Sequence, residues 1–337
     1  MSMGQDSARV VVRHGLAALM LCMTGLCASC GSSTSTARVP ATVAKVSKAR
    51  ARTSVQVSVQ QTGLLPTPVQ DVATVSTGPE SLLLMGGLDE SEASLADILS
   101  ASATGARRVG TLPTALHDAS ASSLGGVVYL FGGGVIASYP TITRVSPSGI
   151  TSPAGQLPTP ASDTASVSVN GTIYVVGGYT GQTPLRSILA WRPGQAPRLV
   201  GTLPKPLRYA AVASAGEQIL IAGGTSGETA SRSVYRFDPR TQTLTTLGLL
   251  PTPLTHAAAA SVNGTVFVFG GREASLDSQT RRILAIAPTG TIQAVGTLPR
   301  PLSDLAAVTL GGRIVLVGGR DTHGSVRREI LTVTLTS

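Results

Sequence analysis

A Leu-Pro pair returns six times along this 337-residue chain, and each copy is followed by a Gly-Gly pair. Because a fixed period of this length is typical of stacked repeats, residues 53–337 are predicted to form six similar units. The prolines, at intervals of 45 to 48 residues, are Pro66, Pro113, Pro158, Pro204, Pro251 and Pro299. The first glycines of the pairs are Gly86, Gly132, Gly177, Gly223, Gly270 and Gly318.

Each unit contains enough short apolar segments for four antiparallel strands. In the third unit, "DTASVSV" precedes Asn170 and Gly171, a pair that favours the tight turn of a β-hairpin. "TIYVVGG" is then typical of a buried strand, and "SILAWRP" and "APRLVGTLP" supply two more. A single four-stranded unit cannot bury both of its faces. The sequence therefore predicts an all-β fold in which six four-stranded antiparallel blades close into a β-propeller.

The sixth unit shows how the ring would close. Its final segment, "REILTVTLTS", matches the third strand of the other units, so a fourth strand must come from elsewhere. Residues 53–60, "TSVQVSVQ", alternate between polar and apolar side chains as a half-buried strand does. We predict that this N-terminal strand adds to the outside of the sixth blade.

Several of these features resemble Kelch repeats. They are the Gly-Gly pair after an apolar strand, the period near 47 residues and the segment "VYRFDPRTQTL" of the fourth unit. The resemblance covers residues 53–337 and implies a six-bladed Kelch-type propeller. The aromatic residues depart from the Kelch pattern, since the only tryptophan, Trp191, lies in a third strand where Kelch units usually carry tyrosine.

The first 30 residues have the pattern of a secretory signal peptide. Arg9, Arg13 and His14 precede "GLAALMLCMTGLCA", an apolar stretch shorter than the roughly 20 residues that a membrane-spanning helix needs. "CASCGSSTST" resembles a bacterial lipobox, which implies that Cys30 is lipidated and tethers the protein to a membrane. The alternative is a soluble secreted protein. Both predict an extracytoplasmic location.

Charge separates the linker from the repeats. Residues 31–52 contain five basic residues and no acidic one, which is typical of a flexible basic linker. From residue 53 onward, 19 Lys and Arg stand against 16 Asp and Glu. Because this balance gives the repeats little excess positive charge, nucleic acid is not predicted as a partner.

The entry to the first strand of each unit carries the candidate site. Equivalent positions hold Asp71, Asp118, Asp163, Tyr209, His256 and Asp304, and they are predicted to converge around the mouth of the central channel. Converging polar groups at a concave surface indicate a binding site. An Asp before a strand also commonly accepts hydrogen bonds from loop amides, so its recurrence in four units indicates a structural role. The candidate ligand-binding residues are His117, Asp118, Asp163, Arg208, Tyr209, His256 and Asp304.

Among these candidates, His117, Arg208, Tyr209 and His256 break the repeat pattern and are favoured for function. A second recurrent set lies near the start of the third strands and comprises Arg186, Arg232, Arg282 and Arg328. Recurrence again favours a structural contact, with the Asp ring as the expected partner. The alternative is a site that binds a carboxylate-bearing ligand.

Other catalytic chemistry has little support in the sequence. No cysteine, nucleophile elbow or phosphate-binding loop follows the signal region. His117, His256 and His323 lie on three separate loops without the spacing of metal ligands. We therefore predict neither a cofactor nor a metal.

Three functions are consistent with this pattern. The favoured one is a non-enzymatic, extracytoplasmic binding module that recognises a glycan or a protein of the cell envelope through one propeller face. The second is an enzyme similar to the periplasmic sialic-acid mutarotases, a sugar-acid mutarotase or epimerase in which Arg208 acts with His256 or His117. The third is a structural interaction domain of an envelope assembly, for which a large exposed apolar patch would be the sign.

Overall fold

The computed structural model describes residues 55–227 and 229–336. The predicted signal peptide with Cys30 and the predicted linker lie outside the described residues, so both stay predictions. Within the described ranges no helix is long and apolar enough to cross a membrane.

The fold is a six-bladed β-propeller, as predicted, and each blade is a four-stranded antiparallel sheet. In chain order the strands are β1 (Gln56–Leu64), β2 (Ala73–Ser76), β3 (Leu82–Met85), β4 (Asp97–Ala101), β5 (Ala106–Thr111), β6 (His117–Leu124), β7 (Val127–Gly134), β8 (Thr141–Val145), β9 (Thr151–Gln156), β10 (Ala165–Val169), β11 (Thr172–Val176), β12 (Ser187–Trp191), β13 (Arg198–Thr202), β14 (Ala211–Ala215), β15 (Gln218–Ala222), β16 (Ser231–Asp238), β17 (Thr243–Leu254), β18 (Ala258–Val262), β19 (Thr265–Phe269), β20 (Arg282–Ile286), β21 (Ile292–Thr297), β22 (Ala306–Leu310), β23 (Arg313–Val317) and β24 (Glu329–Thr336). Blades one to five take consecutive sets of four strands from β2 to β21.

Blade six closes the ring with strands from both ends of the described chain. Its strand order is β22, β23, β24 and then β1, which pairs antiparallel with β24 from Gln56–Thr336 to Leu64–Glu329. The predicted addition of the N-terminal strand to blade six is confirmed. The strand continues past residue 60, while residues 53 and 54 of the predicted segment lie outside the description.

The Gly-Gly pairs join each blade to the next. The first glycine of every pair has a positive φ of 59° to 66°, a left-handed conformation that glycine adopts without steric cost. The N–H of the second glycine donates to a carbonyl of the loop that enters the following blade, at 2.8–2.9 Å. A Cβ on the first glycine would overlap that same carbonyl oxygen. The repeat therefore keeps both glycines because the two blades approach closely here.

Apolar side chains fill the space between neighbouring blades. Six buried clusters form, one at each of the six blade interfaces. Near the channel the strands are rich in small residues, such as "AVASA" in β14 and "AAASV" in β18. The largest buried side chain, Trp191, packs edge-on against Tyr129 and Phe131 of the preceding blade. Packing between blades therefore positions the loops at the mouth of the channel.

Candidate functional site

The predicted mouth positions form one continuous ring in the backbone. At each position the N–H donates to the carbonyl of the equivalent residue in the preceding blade, at 2.8–3.3 Å. All six residues have a φ of 53° to 59°, in the left-handed region where Asp and His are several-fold enriched. The ring consists of Asp71, Asp118, Asp163, Tyr209, His256 and Asp304. The bond from Asp71 to Asp304 closes it across the junction between blades one and six.

The four carboxyl groups of the ring lie close together in two pairs. Asp304 is the charged neighbour with the largest effect on Asp71, and Asp163 is that of Asp118. Burial raises the pKa of Asp71 and Asp118 well above the usual range, and the neighbouring carboxylates raise it further. The mouth of the channel is thus a cluster of buried carboxyl groups, two of which have a strongly raised pKa.

The prediction for the hydrogen-bond partners of these aspartate side chains is wrong. Loop amides were expected to donate to the side chains, yet no backbone amide of the described residues donates to any of the four carboxyl groups. Their protein partners are side chains instead: the Tyr209 hydroxyl donates to Asp118 Oδ2 at 2.9 Å, and the Ser303 hydroxyl donates to Asp304 Oδ2 at 2.5 Å. The backbone ring accounts for the recurrence of Asp, because it requires a left-handed residue.

Arg208 is held on several sides. Its Nε forms an ion pair with Asp163 Oδ2, and its Nη2 donates to the Tyr209 hydroxyl at 3.2 Å. The guanidinium also lies 4.1 Å above the Tyr179 ring and 4.7 Å from the centre of the Tyr209 ring. Its charge is therefore compensated, and its orientation is fixed before any ligand arrives.

His256 lies between Tyr209 and Arg272. Its ring stacks on Tyr209 with centroids 3.7 Å apart, and Arg272 Nη2 lies 3.1 Å from His256 Nε2. A guanidinium only donates, so Nε2 accepts and the proton of the neutral ring is on Nδ1. Burial lowers the pKa of His256 well below its ordinary value, and Arg272 and Arg208 lower it further. The imidazole is therefore neutral at pH 7.

Arg272 was not among the predicted residues. It directly follows the Gly-Gly pair of blade five, and its backbone pairs with Thr255. In the described part of the chain no carboxylate lies within 4.0 Å of its guanidinium, and its buried Nε has no hydrogen-bond partner. The sequence signal was the position itself: Arg320 follows the Gly-Gly pair of blade six in the same way.

These side chains line a pocket between blades four and five. The pocket has a volume of about 340 Å³, within the size range of small-molecule sites. Its polar lining consists of Arg208, Tyr209, Thr225, Thr255, His256, Arg272 and Glu273, of which Glu273 is the one acidic residue. A second cavity of about 130 Å³ lies at the carboxyl cluster, and Tyr209 and His256 line both. We call the larger cavity the mouth pocket.

The structure does not bring every predicted residue into the mouth pocket. Arg208, Tyr209 and His256 line it, and Asp118, Asp163 and Asp304 lie in the adjoining cavity. His117 lines neither cavity. Its Nδ1 lies 2.9 Å from the Ser94 hydroxyl, and burial lowers its pKa. Within the residues described, no group of three or more His, Cys, Asp or Glu is arranged to hold a metal ion.

The recurrent arginines of the third strands have a different role from the expected one. Arg186 and Arg232 donate through Nε at 2.8 Å to the carbonyl of the leucine in the Leu-Pro pair that begins the next unit. In blade five Arg281 makes this bond, while Arg282 donates to Thr252. For Arg186, Arg232 and Arg282 the predicted contact with the Asp ring is wrong, since these arginines fix the Leu-Pro segments.

Comparisons with known proteins agree with this architecture. The Kelch motif model matches residues 160–195 and 206–243, which contain most of blades three and four. A solved structure titled "Structure of YjhT" superposes with a TM-score of 0.71 and 14% sequence identity, over 81% of this chain and 99% of that one. No curated protein matches the sequence significantly. The predicted resemblance to Kelch repeats is confirmed, and the structural likeness shows the fold.

Proposed function

Starting from a six-bladed propeller that carries Kelch motifs, a fold suited to binding modules, we propose that this protein binds a carboxylate-bearing ligand in the mouth pocket. The favoured ligand is an acidic sugar of an envelope glycan, and an acidic side chain of a partner protein is the alternative. The observation that carries the proposal is Arg272, a guanidinium that lines the pocket without an acidic partner among the described residues.

The chemistry of the pocket supports an anionic ligand. Arginine binds a carboxylate through two parallel hydrogen bonds, and such charge-assisted bonds are stronger than neutral ones. Arg272 has donors available, because its nearest polar partners are the neutral His256 ring and the Ala274 carbonyl at 3.4 Å. The buried Thr255 hydroxyl also lacks a partner within the described chain and lines the same pocket. A carboxylate bound here would use groups that the protein itself leaves unused.

The roles of Arg208 and Tyr209 follow from their contacts. Arg208 is already paired with Asp163, so it is better suited to orienting the wall of the pocket than to supplying a free charge. Tyr209 and His256 stack on each other and line the pocket beside Arg272. Hydroxyl and ring groups next to a cation suit a polar ligand that bears a carboxylate.

Binding is favoured over the mutarotase alternative by the state of His256. A mutarotase needs a group that exchanges protons with the sugar, and histidine does this best when its pKa is near the working pH. Burial lowers the pKa of His256 well below its ordinary value, and its Nε2 accepts a hydrogen bond from Arg272. His117, the other candidate base, does not line the mouth pocket.

A purely structural role in an envelope assembly has less support. The large apolar side chains that are exposed in the described chain are spread over five blades. They are Val55, Leu64, Val135, Ile136, Ile150, Leu199, Leu249 and Leu276. Such a spread differs from the single large patch that an assembly surface would require. We further propose, from the sequence of residues 1–52 alone, that binding takes place outside the cytoplasm and that Cys30 is the tether.

The test is a thermal-shift and calorimetric titration of the full chain with glucuronate, N-acetylneuraminate and neutral glucose. A ligand at 100 times its Kd adds about 2.7 kcal/mol of stability, which raises Tm by roughly 5 °C for a domain of this size. We expect a shift with the acidic sugars only. Anomer exchange of N-acetylneuraminate is followed in parallel by NMR, and catalysed exchange would favour the mutarotase over the binding module.

The variant that tests the site is Arg272→Gln. Losing charge-assisted hydrogen bonds of about 1.5–3 kcal/mol should weaken binding by roughly 10- to 100-fold. The matched control is Arg198→Gln on the exposed outer strand β13, which removes the same charge far from the pocket. Equal affinity in wild type and Arg272→Gln, or no binding of any acidic sugar, would refute the proposal.

A further inference from the structure

The loop after the Gly-Gly pair of blade one reaches across to blade six. Glu92 in this loop accepts a hydrogen bond from Arg320 Nη1 at 2.9 Å and forms an ion pair with it. Arg320 stands in blade six where Arg272 stands in blade five, directly after the Gly-Gly pair and paired through its backbone with the equivalent residue of the neighbouring loop. Among the described residues, the arginine of blade six thus has a carboxylate partner from blade one, whereas that of blade five has no carboxylate within 4.0 Å.

The two arginines belong to the same side of the channel mouth. They occur in adjacent blades, and both guanidiniums act to lower the pKa of Asp304, which lies in the ring between them. The other four blades have uncharged residues after their Gly-Gly pairs, namely Leu88, Gly134, Tyr179 and Thr225. The positive charge of these positions is therefore confined to blades five and six.

The turn in this loop brings the Glu92 side chain to Arg320. The turn is fixed by Asp89, whose Oδ1 accepts hydrogen bonds from the Ser91 amide, the Ser91 hydroxyl and the Ala93 amide. Glu92 itself has a φ of 61°, a left-handed conformation that is uncommon for glutamate. The contact is nonetheless open to solvent, with the Glu92 side chain 65% exposed and Arg320 26% exposed. An ion pair with this exposure is weak, so another carboxylate can replace it.

We propose that Arg320 is a second anion-binding position of the mouth, occupied by Glu92 in the free protein and available to a ligand that carries two carboxylates. One carboxylate of such a ligand binds Arg272, and the other displaces Glu92 from Arg320. Glu92 therefore acts as an internal competitor that weakens the binding of dicarboxylates and leaves ligands with a single acidic group unaffected. This inference rests on the proposed function of Arg272.

The test compares two open-chain sugar acids that differ only by the second carboxylate. Gluconate has one, and glucarate has one at each end of the same six-carbon skeleton. Calorimetry on the full chain should show that Glu92→Gln tightens glucarate binding, by no more than about fivefold because the exposed pair is weak. Gluconate binding should be unchanged. Arg320→Gln should weaken glucarate binding to the level of gluconate.

The matched control is Glu90→Gln, which removes the same charge from the same loop without touching Arg320. Equal tightening of glucarate by Glu90→Gln and Glu92→Gln would show a general charge effect and overturn the inference. Glucarate binding that is insensitive to Arg320→Gln would overturn it as well, while gluconate binding that depends on Arg272 would leave the proposed function standing. If neither sugar acid binds the wild-type chain, the proposed function fails, and the inference falls with it.

Discussion

Replacing Gly177 with alanine isolates the contribution of the contact between blades. Gly177 is the first glycine of the third Gly-Gly pair, with a φ of 61°, and an added Cβ would overlap the Leu207 carbonyl oxygen of the next blade. That oxygen also accepts the hydrogen bond of the Gly178 amide at 2.8 Å. The substitution therefore imposes a left-handed alanine and pushes apart two hydrogen-bonded blades.

The magnitude follows from two parts. A left-handed alanine costs about 1–2 kcal/mol, and a disrupted backbone hydrogen bond adds about 0.5–1.5 kcal/mol. A total of roughly 1.5–3.5 kcal/mol lowers Tm by about 3–7 °C for a domain of this size. The matched control is Gly171→Ala, because Gly171 has a φ of 71° and nothing lies within 4 Å of its added Cβ. At Gly171 only the cost of the left-handed alanine applies.

Thermal and urea unfolding of both variants, followed by tryptophan fluorescence and circular dichroism, measures the difference. Alanine restricts the unfolded chain equally at the two positions, so that effect cancels in the comparison. We expect Gly177→Ala to be less stable than Gly171→Ala by about 0.5–1.5 kcal/mol, the share of the hydrogen bond. Equal losses would refute the reasoning, because they would mean that the Gly-Gly pair is needed for its backbone angle alone.

Two further predictions concern ring closure and pH. Deleting residues 55–64, which contain β1, leaves the edge of β24 unpaired in blade six; we expect the cooperative melting transition to broaden or vanish, and an unchanged melting curve would contradict the closure. In the folded protein the pKa of Asp71 is raised above its ordinary value of 3.8, first by burial and then by the Asp304 charge. The protonated Asp71 therefore stabilises the fold fully below pH 3.8, and this stabilisation is lost as pH rises through the folded pKa. Asp71→Asn keeps a donor toward Asp304 without titrating, so Tm should fall less with rising pH than in the wild type, and parallel curves would exclude this role.

The periodic part of the fold was accessible from the sequence because each landmark reflects one repeated contact. The Leu-Pro and Gly-Gly pairs recur where one blade meets the next, and the Asn170-Gly171 pair adopts the two positive φ angles that its turn requires. The closing strand was also predictable, since the alternation of residues 53–60 matched the strand that the sixth unit lacked. These features depend on local backbone geometry, and the residue types and their spacing in the sequence are enough to predict them.

The site was only partly accessible, because its chemistry depends on contacts between blades. Arg208 was a prominent candidate, but its charge is matched by Asp163, which lies about one repeat earlier in the chain. Arg272 was missed because its place after a Gly-Gly pair does not reveal that its side chain contacts His256 or that no carboxylate from a neighbouring blade pairs with it. The direction of the aspartate side chains, toward each other and not toward loop amides, follows from a backbone ring that no single repeat encodes.

The hydrogen-bonded ring at the mouth also limits which side chains can occupy it. The six backbone groups hydrogen-bond to one another, so the side chains are not needed as hydrogen-bond partners for the backbone. The side chains can therefore differ from blade to blade. The left-handed backbone still excludes β-branched residues, for which a positive φ is a genuine outlier. The mouth can thus exchange carboxyl, amide, imidazole and phenol groups while the scaffold stays the same. The left-handed backbone therefore limits which residue types the mouth can use to contact a ligand, and it excludes valine, isoleucine and threonine.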